Sequence, residues 1–191
     1  MLKTILQLCT STTIAYTASD IFGPAGDHLG LRDRWEAYCA SNGIKSIIGN
    51  YKDKRFNSLF QTCAEVFFHR DNFLEVIRTA PNPNQKILSV EADLQSETVN
   101  TMLRAFATVY VKITGLYGWL VTSGKSSYLE LHSHVHSLEN FLEECAEDPG
   151  ILHKDNTWIN AKIFLCPTLT NFKLNYQILC HLINVKCTIT F

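Results

Sequence analysis

Cations and an aromatic side chain stand directly before an apolar helical pattern, and they carry the most specific chemistry of the chain. We call residues 52–56 the basic segment; its candidate nucleic-acid-binding residues are Lys52, Lys54, Arg55 and Phe56. Backbone N–H groups at a helix N-terminus favour an anion, and nearby cations strengthen that preference. A nucleic-acid phosphate with a base stacked on the phenyl ring would suit such a site. The plainer interpretation is a solvated loop in which Phe56 is the first core residue.

Three histidines at alternating positions form a second candidate site, His132, His134 and His136. On a strand all three would share a face and could bind a metal ion, whereas on a helix only the first and third would do so. The surrounding pattern is helical, and the spacing supplies no third ligand. We therefore predict exposed helix histidines and no metal site.

His69, Arg70 and Asp71 have the order that opens a protein-kinase catalytic loop. The Asn that such a loop needs five residues after the Asp is Val76 here, and the sequence contains no D-F-G and no Gly-rich loop. These residues also fall inside a helical pattern. The prediction is an exposed helix turn without a catalytic role.

Three acids near a predicted helix start, Glu91, Asp93 and Glu97, could hold Mg²⁺ for phosphoryl chemistry. Acids in this position more often serve as caps and as partners of the helix dipole. No Ser-His-Asp or Cys-His pairing can be argued from spacing, and no phosphate-binding Gly-rich loop occurs. We therefore predict no catalytic residue, no metal and no cofactor.

The composition indicates a globular chain whose nucleic-acid contacts must be local. Its 191 residues are 46% hydrophobic and 18% charged, with a formal net charge of −1. A strongly basic DNA-binding domain is therefore excluded. The seven cysteines include no C-x-x-C pair, which excludes a zinc ribbon and favours free thiols in a reducing compartment. Cys63 and Cys145 are predicted to be small buried hydrophobes.

The first 18 residues have part of the character of a signal peptide. Lys3 supplies a cation, and Ala15 and Ala18 are small residues of the kind found at a cleavage site. The middle of this stretch is too polar for an apolar core, with Gln7 and four consecutive hydroxyl residues from Thr10. No run approaches the ~18 apolar residues that span a bilayer. We therefore expect a nuclear or cytoplasmic protein that is not secreted and has no membrane partner.

Apolar residues at helical spacing predict a mainly α protein, an irregular helical bundle with loosely packed N- and C-terminal segments. Helices are expected at about 31–40, 57–79, 96–120 and 127–145. Ser58, Ser96 and Ser127 are the predicted N-caps, and Glu130 completes a capping box at the last. The residues predicted to face inward on the last helix are Tyr128, Leu131, Val135, Leu138, Leu142 and Cys145.

The predicted domain organisation has three parts. Residues 1–30 form an irregular N-terminal segment, and residues 31–149 form the helical domain. Residues 150–191 form an apolar C-terminal tail without a clean helical period. No internal repeat divides the chain further.

The basic segment and the helices after it resemble one known family. Arg55-Phe56-Asn57-Ser58 is similar to the Arg-Trp-Asn-Ser motif of hAT transposases, with Phe in place of Trp. In that family the motif opens a long helical insertion within an RNase H-like catalytic domain. The helical pattern of residues 31–149 is similar to this insertion in the order of its elements. The resemblance implies a domesticated or truncated transposable-element protein.

The resemblance also has implications for function. The family cuts and joins DNA with three metal-binding acids, and none of them is recognisable in this sequence. The family's Arg-aromatic pair holds DNA, and this role carries over only to Arg55 and Phe56. The expectation is a non-catalytic, transposase-derived helical module with residual DNA or protein binding, including self-association. Two alternatives remain: part of a metal-dependent transposase, and a secreted or structural helical protein.

Overall fold

The protein is mainly α-helical, as predicted. The computed structural model describes residues 2–26, 30–51, 57–122 and 127–153, and of residues 2–11, 128 and 153 it describes the backbone alone. These ranges contain helices and connections and no strand. The helices are α1 (Leu2–Phe22), α2 (Leu31–Asn42), α3 (Ser58–Arg78), α4 (Gln85–Gln95), α5 (Glu97–Val109), a π-helical segment (Tyr110–Thr114), α6 (Gly115–Thr122), α7 (Tyr128–Glu147) and a 3₁₀ turn (Pro149–His153).

The chain divides into two compact units, residues 1–107 and residues 108–191. This boundary lies inside the segment that the sequence analysis assigned to one helical domain, residues 31–149. The predicted tail falls almost wholly on residues 154–191, which lie outside the described residues.

Aromatic side chains form the centre of the first unit, where α1 to α4 pack against one another. The rings of Phe22 on α1 and Phe73 on α3 stack with centroids 4.0 Å apart. Trp35 on α2 meets Phe73 edge-on at 4.7 Å and is 1% exposed. Burying rings of this size supplies much of the hydrophobic stabilisation of a small helical unit.

The prediction of an irregular segment at residues 1–30 is wrong, because residues 2–22 form α1. The buried face of this helix includes Ile14, Ala15, Ala18, Ser19, Ile21 and Phe22, which follow helical spacing. Several of these side chains are small or polar, so the apolar periodicity of the sequence is weak. Small residues nevertheless let α1 approach α3 closely, and the packing compensates for the weak pattern.

The ends of α2 and α3 test two predicted boundaries. Gly43 ends α2 in the left-handed conformation at φ 63°, as the Asn42-Gly43 pair predicts. The N-cap of α3 is Asn57 and not Ser58, which is the first helical residue. The Asn57 side chain makes no hydrogen bond to the helix.

The sequence analysis missed α4. Its N-cap is Asn84, whose Oδ1 accepts a hydrogen bond from the Ile87 N–H at 3.0 Å. Glu91 and Asp93 lie within this helix, and Glu97 is the first residue of α5, so only Glu97 stands at a helix start. The prediction that Ser96 caps α5 agrees with its Oγ accepting from the Val99 N–H at 3.5 Å.

In the second unit a π-helical segment, Tyr110–Thr114, connects α5 with α6. A side chain at Gly115 would bring its Cβ within 2.8 Å of the Tyr110 carbonyl oxygen, so the wide turn requires glycine there. The predicted capping box is confirmed at α7: Ser127 Oγ accepts from the Glu130 N–H, and the Glu130 carboxylate accepts from the Ser127 N–H at 2.8 Å.

The predicted inward face of α7 is partly wrong. Val135 and Leu142 are each 43% exposed, whereas Phe141, which was not assigned to this face, is 5% exposed. Leu131, Leu138 and Cys145 are half-buried. These residues and Phe141 follow a spacing of three and four along α7. The buried face of this helix is therefore narrower than its apolar residues predict.

We expect Phe73→Ala to lower the free energy of unfolding by about 3–5 kcal/mol, because it removes a buried ring and leaves a cavity. Urea unfolding followed by circular dichroism measures the change. The control is Leu88→Ala, since Leu88 is 42% exposed on α4; its effect should stay within about 0.5 kcal/mol. Equal effects of the two substitutions would contradict this account of the core.

Candidate functional site

The chain between α2 and the basic segment is held by side chains in place of a neighbouring strand. We call residues 44–51 the anchored segment. The Ile47 N–H donates to His69 Nε2 at 3.1 Å, and the Gly49 N–H donates to Glu65 Oε2 at 2.9 Å. Buried backbone donors need partners, and here α3 supplies them from its own side chains.

The geometry of a helix explains why Glu65 and His69 can bind the N–H groups of two alternate residues of an extended chain. Residues four apart on a helix rise by about 6 Å and lie on one face. Two residues of extended chain span about 6.6 Å. Glu65 and His69 therefore meet Gly49 and Ile47 in an antiparallel register, with each side chain bonded to one N–H group.

Ser19 on α1 fixes the last part of the anchored segment. Its hydroxyl donates to the Gly49 carbonyl at 2.6 Å and accepts from the Tyr51 N–H at 2.7 Å. This close approach depends on Gly23, where a Cβ would lie 2.2 Å from the Ser19 carbonyl oxygen and 2.9 Å from that of Gly49. The chain therefore reaches the basic segment with its last described residue already held.

Two further contacts tie the anchored segment to α2 and to the turn after α1. The Trp35 indole N–H donates to Ser46 Oγ at 2.8 Å, and Asn50 Oδ1 accepts from the Ala25 N–H at 3.1 Å. Between them Ile48 is 6% exposed and joins the core. The segment thus contacts α1, α2 and α3 without belonging to a helix or a sheet.

Glu65 is an acid inside the core, with 5% of its surface exposed. Burial raises the pKa of its carboxyl from 4.5 to about 7, against the opposing effect of hydrogen bonds from the Gly49 N–H and the Gln61 side chain. The Gln61 amide donates to Glu65 Oε1 at 2.8 Å. Both carboxyl oxygens are therefore engaged by the protein itself.

His69 corrects the prediction of an exposed helix turn, because it is 0% exposed. Its ring lies 4.8 Å from that of Trp35 and 4.5 Å from that of Phe68. Burial lowers the pKa of His69 from 6.5 to about 3, so the imidazole is neutral near pH 7. Since Nε2 accepts from Ile47, the ring proton lies on Nδ1.

The other two residues of that turn agree with its predicted exposure only in part. Asp71 is exposed, with 86% of its side-chain surface accessible. Arg70 is half-buried and donates from Nε to the Leu94 carbonyl at 2.9 Å and from Nη1 to Asp71 Oδ1 at 2.9 Å. This turn lies inside α3, and Arg70 links it to α4 through the Leu94 carbonyl. Its buried histidine follows the helical spacing of Val66, Phe73 and Ile77.

A small open cleft of about 60 Å³ lies where the anchored segment meets α1. Tyr16 and Tyr51 stand edge to face with ring centroids 6.2 Å apart. Asp20 pairs with Lys86 of α4 at the same place. The lining residues are Tyr16, Ser19, Asp20, Ala25, Asn50 and Tyr51.

The predicted binding residues Lys52, Lys54, Arg55 and Phe56 lie outside the described residues. The structure does describe the residues on either side of the basic segment. Tyr51 is held by Ser19 on one side, and Asn57 precedes the first turn of α3 on the other. That first turn contains no acid.

The three histidines of the second candidate site lie on α7, as predicted. His132 and His136 are exposed, whereas His134 is half-buried. Among the described side chains, no group of three or more His, Cys, Asp or Glu could hold a metal ion. His136 Nδ1 instead lies 3.4 Å from Glu139 Oε2.

The three cysteine side chains that the structure describes are buried to different degrees. Cys63 is 0% exposed, as predicted, and burial raises the pKa of its thiol to about 12. Cys145 is half-buried, so its predicted burial is only partial. Both thiols are free, as is that of Cys39, where burial raises the pKa to about 11.

The sequence analysis missed Ser19, Glu65 and His69, which anchor the chain before the basic segment. One signal was present in the sequence. Glu65 and His69 are polar residues four apart, and both lie on the apolar face formed by Cys63, Val66 and Phe73. A polar pair on a core face needs hydrogen-bond partners, and Glu65 Oε2 and His69 Nε2 find theirs in a backbone that is distant in sequence. The buried Nδ1 of His69 has no hydrogen-bond partner among the described residues.

Two broader comparisons complete the description. No helix within the described ranges is long and apolar enough to cross a membrane. The chain matches no protein-family model, no curated protein and no solved structure.

The two buried titratable groups should give the free energy of unfolding opposite dependences on pH. The folded-state pKa of Glu65 is raised from 4.5 to about 7, so its contribution falls as pH rises through that range. The folded-state pKa of His69 is lowered from 6.5 to about 3, so its contribution rises from pH 3 to 6.5. Between pH 4.5 and 6.5 the two slopes oppose each other.

Single substitutions should separate the slopes in urea unfolding at several pH values. In His69→Gln only the Glu65 effect remains, so we expect the free energy of unfolding to fall between pH 5 and 7. In Glu65→Gln only the His69 effect remains, so we expect the free energy of unfolding to rise between pH 4 and 6.5. Each slope should be at most about 1.4 kcal/mol per pH unit. The control is Asp71→Asn, whose carboxyl is exposed on the same helix. Slopes like those of the wild type in both variants would rule out the assignment.

Proposed function

We propose that this chain is a non-catalytic, transposase-derived helical module that binds nucleic acid weakly through the basic segment, in the nucleus or the cytoplasm. The observation that carries the proposal is the anchoring of the chain on both sides of residues 52–56. Tyr51 is bonded to Ser19 of α1, and Asn57 is the N-cap of α3. Both α1 and α3 belong to one compact unit.

Anchored ends favour binding for an entropic reason. A segment that must be ordered by its ligand loses conformational freedom on binding, and this loss weakens the complex. Here the hydrogen bonds of Ser19, Glu65 and His69 already hold the residues before the basic segment. The held residues on either side therefore limit the conformational freedom that binding can remove.

The charges around the start of α3 also favour an anionic ligand. The basic segment has three cations and one acid, Asp53. The first turn of α3 adds the positive end of the helix dipole and no acid, and the first acid on this helix is the buried Glu65. A phosphate group near this point would therefore meet little repulsion.

The proposed origin rests on the motif and on the helices that follow it. In the hAT family a motif similar to Arg55-Phe56-Asn57-Ser58 opens a helical insertion. Helix α3 begins at Ser58, the last residue of the motif, and described helices follow as far as residue 147. This order supports the proposal without assigning any catalytic step.

A second candidate function is protein binding or self-association through α7. Three apolar side chains are exposed there: Leu129 at 81%, and Val135 and Leu142 at 43% each. Exposed apolar groups on one helix favour a protein partner. Val135 and Leu142 are seven residues apart and share a face of the helix, whereas Leu129 lies on another. The helix has acids and no Lys or Arg, so it would repel nucleic acid.

Removal of a cation from the basic segment should weaken DNA binding and reduce its dependence on salt. We expect Arg55→Ala to lower the slope of log K against log salt concentration by about 1, because one phosphate contact is lost. Fluorescence anisotropy with a short labelled strand at several salt concentrations measures both quantities.

The matched control is Arg78→Ala, which removes one cation from the last turn of α3, away from the basic segment in sequence. Its salt slope should equal that of the wild type. Binding without any salt dependence, or equal losses in the two variants, would refute the basic segment as the binding site. A wild-type protein that binds no DNA but forms stable dimers would favour the second candidate function.

A further inference from the structure

The cleft beside the anchored segment has the parts of a stacking site. Tyr16 projects from α1 and is 52% exposed, although it lies next to a well-packed core. Its contact with Tyr51 is edge to face at an interplanar angle of 85°, which favours this orientation of the two rings. An exposed aromatic ring held in place offers a surface on which a flat ligand can stack.

The rim of the cleft supplies both kinds of hydrogen-bonding group. Asn50 uses Oδ1 to accept from the Ala25 N–H, which leaves its amide nitrogen directed to other partners as a donor. Asp20 supplies carboxylate oxygens, which are acceptors only. Lys86 pairs with Asp20 and offsets its charge, so the rim is not a strongly negative surface.

The position of the cleft connects it with the proposed binding segment. Tyr51 lines the cleft, and the next residue in the chain is Lys52, the first cation of the basic segment. The cleft is too small to enclose a whole nucleotide, at about 60 Å³. A base could lie against the ring while its sugar and phosphate remain outside the cleft.

We propose that this cleft binds an unstacked nucleobase of a single-stranded nucleic acid, stacked on Tyr16 and hydrogen-bonded by Asn50 and Asp20. The inference rests on the proposed nucleic-acid binding and adds to it the form of the ligand. In a duplex the bases are paired and stacked, so their faces cannot reach Tyr16. The protein therefore prefers a single strand over a duplex of the same sequence.

The same geometry implies little preference among the four bases. Every base has a flat face for stacking and both donors and acceptors along its edge. One amide donor and one carboxylate acceptor can be satisfied by several of these edges. The protein therefore distinguishes single strands from duplexes and has little preference for a particular base sequence.

The test combines a change in the protein with a change in the ligand. Fluorescence anisotropy compares binding of a labelled single strand with binding of the same strand carrying abasic sites, which keep the phosphates and lack the bases. Wild-type protein should bind the intact strand roughly 5- to 100-fold more tightly than the abasic strand. Tyr16→Ala should lose most of this preference, and any remainder would come from stacking on Phe56 of the basic segment.

Tyr16→Phe is the matched control, because it keeps the ring and should retain the preference for the intact strand. Circular dichroism establishes that each variant is folded, which is expected because half of the Tyr16 side chain is exposed. A preference in Tyr16→Ala as large as that of the wild type would overturn the cleft as the base site. Binding without discrimination between the strands would also overturn it but leave the proposed function standing, whereas no binding of either strand would refute both.

Discussion

Two side chains of one helix act as the hydrogen-bonding partner of an extended stretch of backbone, and the arrangement of the first unit depends on this contact. In a sheet the N–H groups of Ile47 and Gly49 would pair with a neighbouring strand. Here Glu65 and His69 accept these hydrogen bonds from one face of α3. The contact requires both titratable groups to lie inside the core, where their charged forms are disfavoured.

The anchored segment connects the core with the proposed function. Ser19 joins α1 to the end of this segment through two hydrogen bonds, and the small cleft forms where they meet. The basic segment follows at once in the sequence. Binding residues in proteins are often on loops, and a rigid scaffold of helices or strands holds those loops in position.

Local signals account for what could be predicted from the sequence. The end of α2 at Gly43 and the capping box of α7 follow from residues within one helical turn. Helix α1 could not be predicted because its buried face includes small and polar residues. Helix α4 was missed because it is short and follows a proline-rich turn. The partners of Glu65 and His69 are distant in sequence, so no local pattern could identify them.

The contact between α3 and the anchored segment places an unusual constraint on evolution. It recognises main-chain atoms, so substitutions at positions 47 and 49 need not disturb it, and even a Cβ at Gly49 would lie 3.7 Å from the nearest Glu65 oxygen. An insertion or deletion of a single residue between these positions would shift the register and break the match with the helical repeat. Related chains should therefore tolerate residues other than proline at positions 47 and 49 while keeping this length unchanged.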